Sequence, residues 1–315
     1  GLVAGLVLSL GLSAAIVRVA MNSEPIIAGI AALKSIAEVL STPPIAEPAD
    51  PVPARGGALE VRNLVFSYGD GPRVLDGMSA TFEPGTLTAL VGSSGSGKST
   101  VARLLARFHD PVEGSVLLGG VDLRDIAVRD VHRSVSVVFQ DPQLFTLPLR
   151  ENIRLARRDA TDDEIMAAAK LANLDAVIAA LPKRLDSVVN VDVTFSGGEA
   201  QRVAIARSIV TDAPVLIFDE ATAYADPASE ALIQSAIERL ARSRTVIVIA
   251  HRLSTIRNAD RILVLDGGAV AEAGTHDELL ARGGRYRDLW RAFVLDDEPS
   301  APRGTESDDE KAANR

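Results

Sequence analysis

The stretch that decides the fold runs from residue 92 to residue 100 and reads Gly-Ser-Ser-Gly-Ser-Gly-Lys-Ser-Thr. The apolar residues 87–91 before it predict a buried strand, and the run Val-Ala-Arg-Leu-Leu-Ala-Arg at 101–107 predicts a helix after it. A glycine-rich turn from a strand into a helix binds phosphate, because its backbone N–H groups and the positive helix end converge on the anion. We therefore predict an α/β fold that binds a nucleoside triphosphate.

Each part of this loop has an expected role. The glycines let successive N–H groups turn inward around phosphate oxygens. Lys98 supplies a point charge between the outer phosphates, and the hydroxyl of Ser99 is an expected ligand of Mg²⁺. A Gly/Ser-rich turn with an incidental lysine is the competing interpretation, and the flanking strand and helix argue against it. The predicted nucleotide-binding residues of the loop are Gly92, Ser93, Ser94, Gly95, Ser96, Gly97, Lys98, Ser99 and Thr100.

A second turn of this kind is Ser196-Gly197-Gly198-Glu199, which precedes an apolar helical run. A serine cap followed by two glycines at the start of a helix forms another N-terminus that attracts anions. Its distance along the chain from the first loop argues against a single shared site. We expect a head-to-tail dimer, in which this turn of one subunit closes on the γ-phosphate held by the other. A tight turn into an ordinary helix is the alternative.

The apolar run at 215–218 ends in two carboxylates, Asp219 and Glu220. Asp219, at the tip of the predicted strand, is placed to hold Mg²⁺ through water. Glu220 can polarise the water that attacks the γ-phosphate.

Two more apolar runs, at 245–250 and 135–139, end in His251 and Gln140. A neutral imidazole at His251 can hydrogen-bond the γ-phosphate, and Gln140 offers an amide oxygen to the metal or the attacking water. Each residue alone could merely cap a strand. Together they agree with the rule that ligands of parallel α/β sheets bind at the carboxyl ends of strands.

The order of these residues resembles the ATP-binding-cassette (ABC) family, and in particular the nucleotide-binding domain of exporter-type half-transporters. The resemblance covers residues 59–293. Three shorter phrases are typical of exporter-type cassettes and not of the cassette ATPases of DNA repair or translation. They are Pro-Gln-Leu-Phe at 142–145, Glu-Asn-Ile at 151–153 and Gly-Thr-His-Asp-Glu-Leu-Leu at 274–280.

The resemblance implies a P-loop NTPase cassette with a RecA-like core, an antiparallel β subdomain and a helical subdomain that carries the signature. It implies ATP and Mg²⁺ as cofactors, with Ser99, Gln140 and Asp219 around the metal. Tyr68 resembles the aromatic that stacks on adenine, and an ordinary edge-strand tyrosine is the alternative. The other matches are the Walker A loop at 92–100, the Q-loop residue Gln140, the signature Ser196 to Glu199, the Walker B aspartate Asp219, the catalytic glutamate Glu220, the D-loop aspartate Asp226 and the switch histidine His251.

Three places depart from the usual pattern. Residues 190–194 read Asn-Val-Asp-Val-Thr where exporter cassettes usually carry a longer Gly-Glu-x-Gly loop, so transmission to the membrane helices is in question. The signature has Phe195 and Glu199 where leucine and glutamine are commonest, and we expect it to remain competent. The D-loop reads Ala-Tyr-Ala-Asp at 223–226, which, with Glu-Ala-Gln-Arg at 199–202, resembles the siderophore importers of the exporter fold.

Composition agrees with a cytosolic α/β domain. With 315 residues, of which 47% are hydrophobic, the chain can form one large core plus an appendage. It has no cysteine, which fits a domain that needs no disulfide. A formal net charge of −9 argues against a nucleic-acid partner.

The N-terminal segment has a different character. Gly1–Ala20 is almost wholly apolar, with Arg18 as its only charge, and its length matches a bilayer core. We predict a membrane helix. A packed soluble helix and a cleaved signal peptide are the alternatives, the latter weakened by the lack of a basic n-region. Because the chain does not begin with Met, we expect that a longer protein contains it.

These patterns predict four regions. Residues 1–40 form the end of a transmembrane domain with one or two membrane helices, 41–57 a Pro-rich linker, 58–295 the ABC domain, and 296–315 a disordered acidic tail.

The expected function is ATP hydrolysis coupled to the transport of a small molecule across the cytoplasmic membrane, with the cassette on the cytoplasmic side. The expected partner is a second half-transporter subunit, identical or related. The alternatives are a soluble ABC ATPase and a subunit that binds nucleotide without hydrolysing it. The presence of both Glu220 and His251 argues against the second alternative.

Overall fold

The computed structural model describes residues 1, 2, 5, 27–41, 43–54, 56–219, 226–250 and 252–297. The chain divides into two units, Gly1–Ala46 and Glu47–Arg315. The first unit contains helix α1 (27–41), whose larger apolar side chains are exposed. Nearly all of the predicted membrane helix Gly1–Ala20 lies outside the described residues. Among the residues that are described, none of the helices is long and apolar enough to cross a membrane.

The second unit is built on two sheets. A six-stranded sheet has the order β10-β9-β3-β8-β7-β6, in which all neighbours are parallel except β10 and β9. A four-stranded antiparallel sheet has the order β2-β1-β4-β5. The strands are β1 (Leu59–Ser67), β2 (Arg73–Phe82), β3 (Leu87–Gly92), β4 (Glu113–Leu118), β5 (Val121–Asp122), β6 (Val135–Val138), β7 (Val215–Asp219), β8 (Thr245–Ile249), β9 (Arg261–Asp266) and β10 (Ala269–Gly274).

Ten described helices follow in this unit, besides three short 3₁₀ turns. The helices are α2 (Lys98–Leu105), α3 (Val128–Ser134), α4 (Leu149–Ile153), α5 (Asp162–Leu171), α6 (Asp175–Ala180), α7 (Gly197–Val210), α8 (Pro227–Ala241), α9 (Leu253–Arg257), α10 (His276–Arg282) and α11 (Arg285–Asp297). The predicted acidic tail lies outside the described residues from position 298 onward.

The parallel sheet is apolar on both faces because it is covered on both faces. Side chains alternate along β7: Phe218 packs into a core on one face, while Ile217 packs into a second core on the other. The first core includes residues of helices α5, α7 and α8, and the second includes α2 and the antiparallel sheet. The α/β core with an added antiparallel sheet is as predicted.

The predicted strands are present with small changes at their ends. β3 gains Gly92, whereas the predicted strands 135–139 and 245–250 end one residue earlier, at Val138 and Ile249. In the parallel sheet, β8 lies between β3 and β7, and β6 follows β7. The carboxyl ends of these four strands therefore meet at one edge, which is where the sequence places its candidate site.

Phe218→Ala is expected to lower the free energy of unfolding by about 3–5 kcal/mol. The Phe218 side chain is fully buried, so its removal loses apolar burial and leaves a cavity between the sheet and its helices. Val191→Ala is the control, because Val191 is 71% exposed. It should change stability by less than about 0.5 kcal/mol. Urea denaturation of the two variants makes the comparison, and similar midpoints would contradict this description of the core.

Candidate nucleotide-binding site

The turn from β3 into α2 is organised around Lys98. Its ammonium donates to the carbonyl oxygens of Gly92 and Ser93, both at 2.9 Å, and lies 3.4 Å from the Ser96 hydroxyl. The side chain is 6% exposed. Gly97 is the N-cap of α2 and has no side chain that could accept a hydrogen bond from the first turn. The N–H groups of that turn therefore point out of the helix end without a side-chain cap. A buried cation thus lies beside the positive end of a helix.

At two positions of the loop only glycine fits, because neighbouring atoms lie too close for a Cβ. A Cβ on Gly92 would overlap the carbonyl oxygen of Leu265 in the neighbouring strand. Gly97 has φ of 99°, and a Cβ there would lie 2.7 Å from Leu75 Cδ2. The backbone therefore passes closer to its surroundings than any other residue type allows. An open cavity of about 230 Å³ lies over this loop, lined by Val74, Ser94, Gly95, Gly97, Lys98, Ser99 and Thr100.

The two predicted metal ligands Ser99 and Asp219 meet across the sheet. The Ser99 hydroxyl donates to Asp219 Oδ1 at 3.2 Å, although 120 residues separate the two in sequence. A hydroxyl and a carboxylate side by side are oxygen donors of the kind that Mg²⁺ prefers. Gln140 is partly buried just beyond β6, beside β7. In the described part of the chain, no hydrogen bond joins Gln140 to Ser99 or Asp219.

Tyr68 lies at the mouth of the same loop. Its hydroxyl is 3.2 Å from Thr100 Oγ1, and Arg103 Nη1 donates to it at 3.2 Å. The ring meets Phe66 edge to face, with centroids 4.9 Å apart, and remains 40% exposed. Sequence reasoning missed Arg103. The available signal was its spacing from Thr100, since residues three apart on a helix share a face.

The second glycine turn begins α7 as predicted. Ser196 and Glu199 form a capping box: Ser196 Oγ accepts from the Glu199 N–H at 3.3 Å, and Glu199 Oε2 accepts from the Ser196 N–H at 2.9 Å. Ser196 and Gly197 are exposed, whereas Gly198 is buried. Within the described residues, no hydrogen bond or ion pair links 196–199 to 92–100. The hydrogen bonds of a single copy therefore do not join these two turns.

Two residues that follow this turn, Gln201 and Arg202, are buried in the domain. Gln201 Nε2 donates to the carbonyl oxygen of Phe139 at 3.2 Å, which joins α7 to the segment before Gln140. Arg202 is 4% exposed, and burial lowers the pKa of its guanidinium while the Glu199 and Asp226 carboxylates oppose that shift. Neither feature follows from a local sequence pattern, because both depend on how α7 packs.

Asp226 caps helix α8. Its carboxylate accepts from the N–H groups of Ala228 at 3.1 Å and Ser229 at 3.0 Å. Hydrogen bonds from the Ser229 side chain and from backbone N–H groups lower the pKa of Asp226. The other predicted residues of this region, Glu220, His251 and the turn at 223–225, lie outside the described residues. Their roles stay predictions.

A phosphate-type loop at the carboxyl edge of a parallel sheet, with a serine hydroxyl beside a carboxylate, defines a P-loop nucleotide-binding domain. The cradle at Gly92 and Gly97 and the oxygen donors of Ser99 and Asp219 both fit a nucleoside triphosphate with Mg²⁺. Residues 75–223 match the family model described as ABC transporter. This domain therefore belongs to the ABC transporter family, and the resemblance predicted from the sequence is confirmed.

Several relatives agree with this assignment. Over 237 residues the chain is 52% identical to the mycobactin import ATP-binding/permease protein IrtA of Mycolicibacterium thermoresistibile, which covers 75% of this chain and 26% of that protein. Over 286 residues it is 44% identical to the ATP-dependent lipid A-core flippase of Chromobacterium violaceum, covering 89% of this chain and 48% of that protein. The chain thus spans no more than about half of either relative.

A solved structure has the same fold. It is described as a bacterial Atm1-family ABC exporter with ATP bound, and it matches this chain with a TM-score of 0.77 at 40% identity. The match covers 86% of this chain and 48% of that one. The exporter-type cassette architecture expected from the motifs is therefore confirmed.

Gly92→Ala is expected to destabilise the chain more than Gly95→Ala, by about 1–3 kcal/mol. The added Cβ at residue 92 meets a backbone carbonyl, whereas at residue 95 nothing lies within 4 Å. Gly95 has φ of 78°, so its replacement carries only the backbone strain of about 1–2 kcal/mol. Urea denaturation of both variants measures the difference, and equal losses would show that Leu265 does not press on the loop.

Proposed function

We propose that this chain binds and hydrolyses ATP with Mg²⁺, and that hydrolysis drives a small molecule across a membrane. The observation that carries the proposal is the contact of the Ser99 hydroxyl with the Asp219 carboxylate beside the Lys98 loop. That arrangement places a cation, a helix N-terminus and the Ser99 hydroxyl within one turn of chain, with the Asp219 carboxylate 3.2 Å from that hydroxyl. Catalysis of phosphoryl transfer is largely positioning and charge stabilisation, which such an arrangement supplies.

The residues that would hold ATP form two groups, one at the base and one at the phosphates. The ring of Tyr68 offers a partly exposed aromatic face to the base. The N–H groups of the loop from Gly92 to Thr100 face the phosphates, and the Lys98 ammonium adds the charge. In the bound state this ammonium would exchange its carbonyl partners, Gly92 and Ser93, for phosphate oxygens.

Ser99, Asp219 and Gln140 would hold Mg²⁺. The metal, when bound, neutralises charge on the outer phosphates. Asp219 ends β7, and the β7–β8 pairing runs from Val215 with Thr245 to Asp219 with Ile249. Glu220 therefore follows the end of β7 directly, and His251 comes two residues after the end of β8 in sequence. We assign Glu220 as the group that takes the proton of the attacking water, with His251 orienting the reactants.

A second cassette would complete the site. Ser196 and Gly197 are exposed at the N-terminus of α7, and among the described residues no hydrogen bond joins them to the phosphate loop of the same copy. In a head-to-tail pair, this turn from one subunit would face the γ-phosphate held by the other, with Gly198 and Glu199 supporting the turn and Asp226 beside it. The second subunit is either another copy or a related chain.

The membrane part of the proposal rests on an exposed apolar surface and on the relatives. Phe108 and Phe139 stack with centroids 5.8 Å apart, and both are more than a third exposed, as are Phe145 and Leu147 nearby in sequence. Exposed apolar patches of this kind mark interaction surfaces. We propose that this patch is an interaction surface of the transporter, that Gly1–Ala20 is membrane-embedded, and that the cassette lies on the cytoplasmic side.

The cargo class is proposed from one relative. The IrtA protein of Mycolicibacterium thermoresistibile is a mycobactin import ATP-binding/permease protein, and it is 52% identical to this chain over 237 residues. The signature Glu199 and the D-loop sequence at 223–226 point the same way. We therefore propose an iron-siderophore as cargo. The alternatives are a soluble ATPase, which detergent dependence of the expressed chain would separate, and a non-hydrolysing subunit, which the Glu220 variant below separates.

Lys98→Ala is expected to abolish the stabilisation of the chain by MgATP. At a hundredfold excess over Kd, ATP should raise the free energy of unfolding of the unmodified chain by about 2.7 kcal/mol. The variant should lose nearly all of this increase, because it lacks the loop cation. Lys170→Ala, on the exposed face of α5, is the control and should keep the increase. An undiminished increase in Lys98→Ala would contradict the assignment of the loop.

Glu220→Gln is expected to keep ATP binding and to slow hydrolysis by about 10²- to 10⁴-fold. Glutamine preserves size and hydrogen bonding but cannot accept the proton of the water. Phosphate release measures hydrolysis, and light scattering measures the dimer that trapped ATP should hold together. Glu113→Gln, at the exposed start of β4, is the control. Hydrolysis by Glu220→Gln at the unmodified rate would refute the role of Glu220, and absence of hydrolysis from every variant would favour the non-hydrolysing subunit.

A further inference from the structure

Tyr68 is held by its hydroxyl group at two points on helix α2. Thr100 Oγ1 lies 3.2 Å from the phenol oxygen, and Arg103 Nη1 donates to that oxygen at 3.2 Å. Thr100 and Arg103 are one turn apart, on the helix that begins at Lys98. The helix that ends the phosphate loop therefore also carries the two groups that hold the aromatic ring.

The ring itself is confined by two neighbours. Phe66 and His109 both stand edge to face with Tyr68, at interplanar angles of 88° and 89° and with centroids 4.9 and 5.5 Å away. Two ring contacts and two hydrogen bonds at the far end of the side chain fix its torsions. A side chain that is ordered before binding loses less conformational entropy when a ligand stacks on it.

We propose that Arg103 is a positioning residue for the nucleotide base, acting through Tyr68. Its guanidinium holds the phenol oxygen and so keeps the ring oriented as a stacking surface at the mouth of the phosphate loop. This inference rests on the proposed function, since it concerns how ATP is held. A charged donor makes a stronger hydrogen bond than a neutral one, which suits Arg103 to this task better than Thr100.

A basic residue in the last turn of a helix also interacts favourably with the helix dipole. That interaction requires no contact with Tyr68 and would not depend on the phenol hydroxyl. A long-range attraction of phosphate to the Arg103 charge would likewise be independent of Tyr68. The three roles are separated by removing the hydroxyl and by using a ligand that has no base.

The test measures dissociation constants by calorimetry with the full chain, for MgATP and for inorganic tripolyphosphate. Arg103→Ala should weaken ATP binding about threefold to tenfold, the loss expected for one hydrogen bond. Tripolyphosphate binding should stay within about twofold, because that ligand has no base to stack. Arg129→Ala, a 74% exposed arginine on α3, is the matched control and should change neither constant.

A double-mutant cycle tests the route through Tyr68. Tyr68→Phe keeps the ring and removes the hydroxyl, so Arg103→Ala in that background should add less than about a twofold further loss. Arg103→Lys should recover part of the ATP affinity, because lysine can also donate to the phenol oxygen. In steady-state hydrolysis, KM should rise with Arg103→Ala while kcat stays within about twofold.

Three results would overturn the inference. An equal loss of ATP and tripolyphosphate affinity would mean that Arg103 acts on phosphate by charge. If Arg103→Ala weakens ATP binding as much in the Tyr68→Phe background as in the unmodified chain, Arg103 does not act through the Tyr68 hydroxyl. Unchanged ATP affinity in Arg103→Ala, with Lys98-dependent binding intact, would refute this inference and leave the proposed function standing. Failure of the unmodified chain to bind ATP is a different outcome, which would refute the proposed function as well.

Discussion

The hydrogen bond from Ser99 to Asp219 depends on a constraint that governs the whole site: parallel strands deliver their carboxyl ends to one edge of the sheet. β3 and β7 are separated by β8, and each is apolar up to its final residues. Because helices or the second sheet cover both faces of this sheet, the polar side chains of the site lie at the edge where the strands end. The strands must therefore be in their observed order before a hydroxyl and a carboxylate 120 residues apart can meet.

The phosphate loop adds a second constraint, which is steric. Gly92 passes against the carbonyl oxygen of Leu265, and Gly97 has a backbone conformation that other residues rarely adopt. Within the same loop, the Lys98 side chain folds back so that its ammonium donates to the loop carbonyls. The same turn thus fixes the cation and exposes the N-terminus of α2. One short segment thus supplies the Lys98 charge, the glycine turn and the N–H groups at the start of α2.

The sequence predicted the parts of this arrangement that are local. The loop from Gly92 to Thr100, the four strands that end at the site and the start of α7 at Ser196 follow from residue type and spacing, and the structure has them in place. The family assignment followed from the same motifs. The roles of Glu220 and His251 stay predictions, because both residues lie outside the described part of the chain.

Contacts that depend on packing could not be predicted in this way. Arg103 meets Tyr68 only because β1 lies beside α2, and Gln201 reaches Phe139 only because α7 packs near the end of β6. No local pattern specifies either pairing. Nor does a local pattern tell whether Ser196 and the phosphate loop of one copy bond to each other. Among the described residues they share no hydrogen bond, which agrees with the expectation of a second cassette.

The central claim is that the loop and Tyr68 hold the two ends of one nucleotide. Photolabelling with 8-azido-ATP tests it most directly, because the azide attaches the base to whatever residue it touches. Trypsin cleaves after Arg62 and Arg73, so the peptide 63–73 carries Tyr68. The label should fall on this peptide and be displaced by excess ATP. Label on other peptides, or label that excess ATP does not displace, would contradict it.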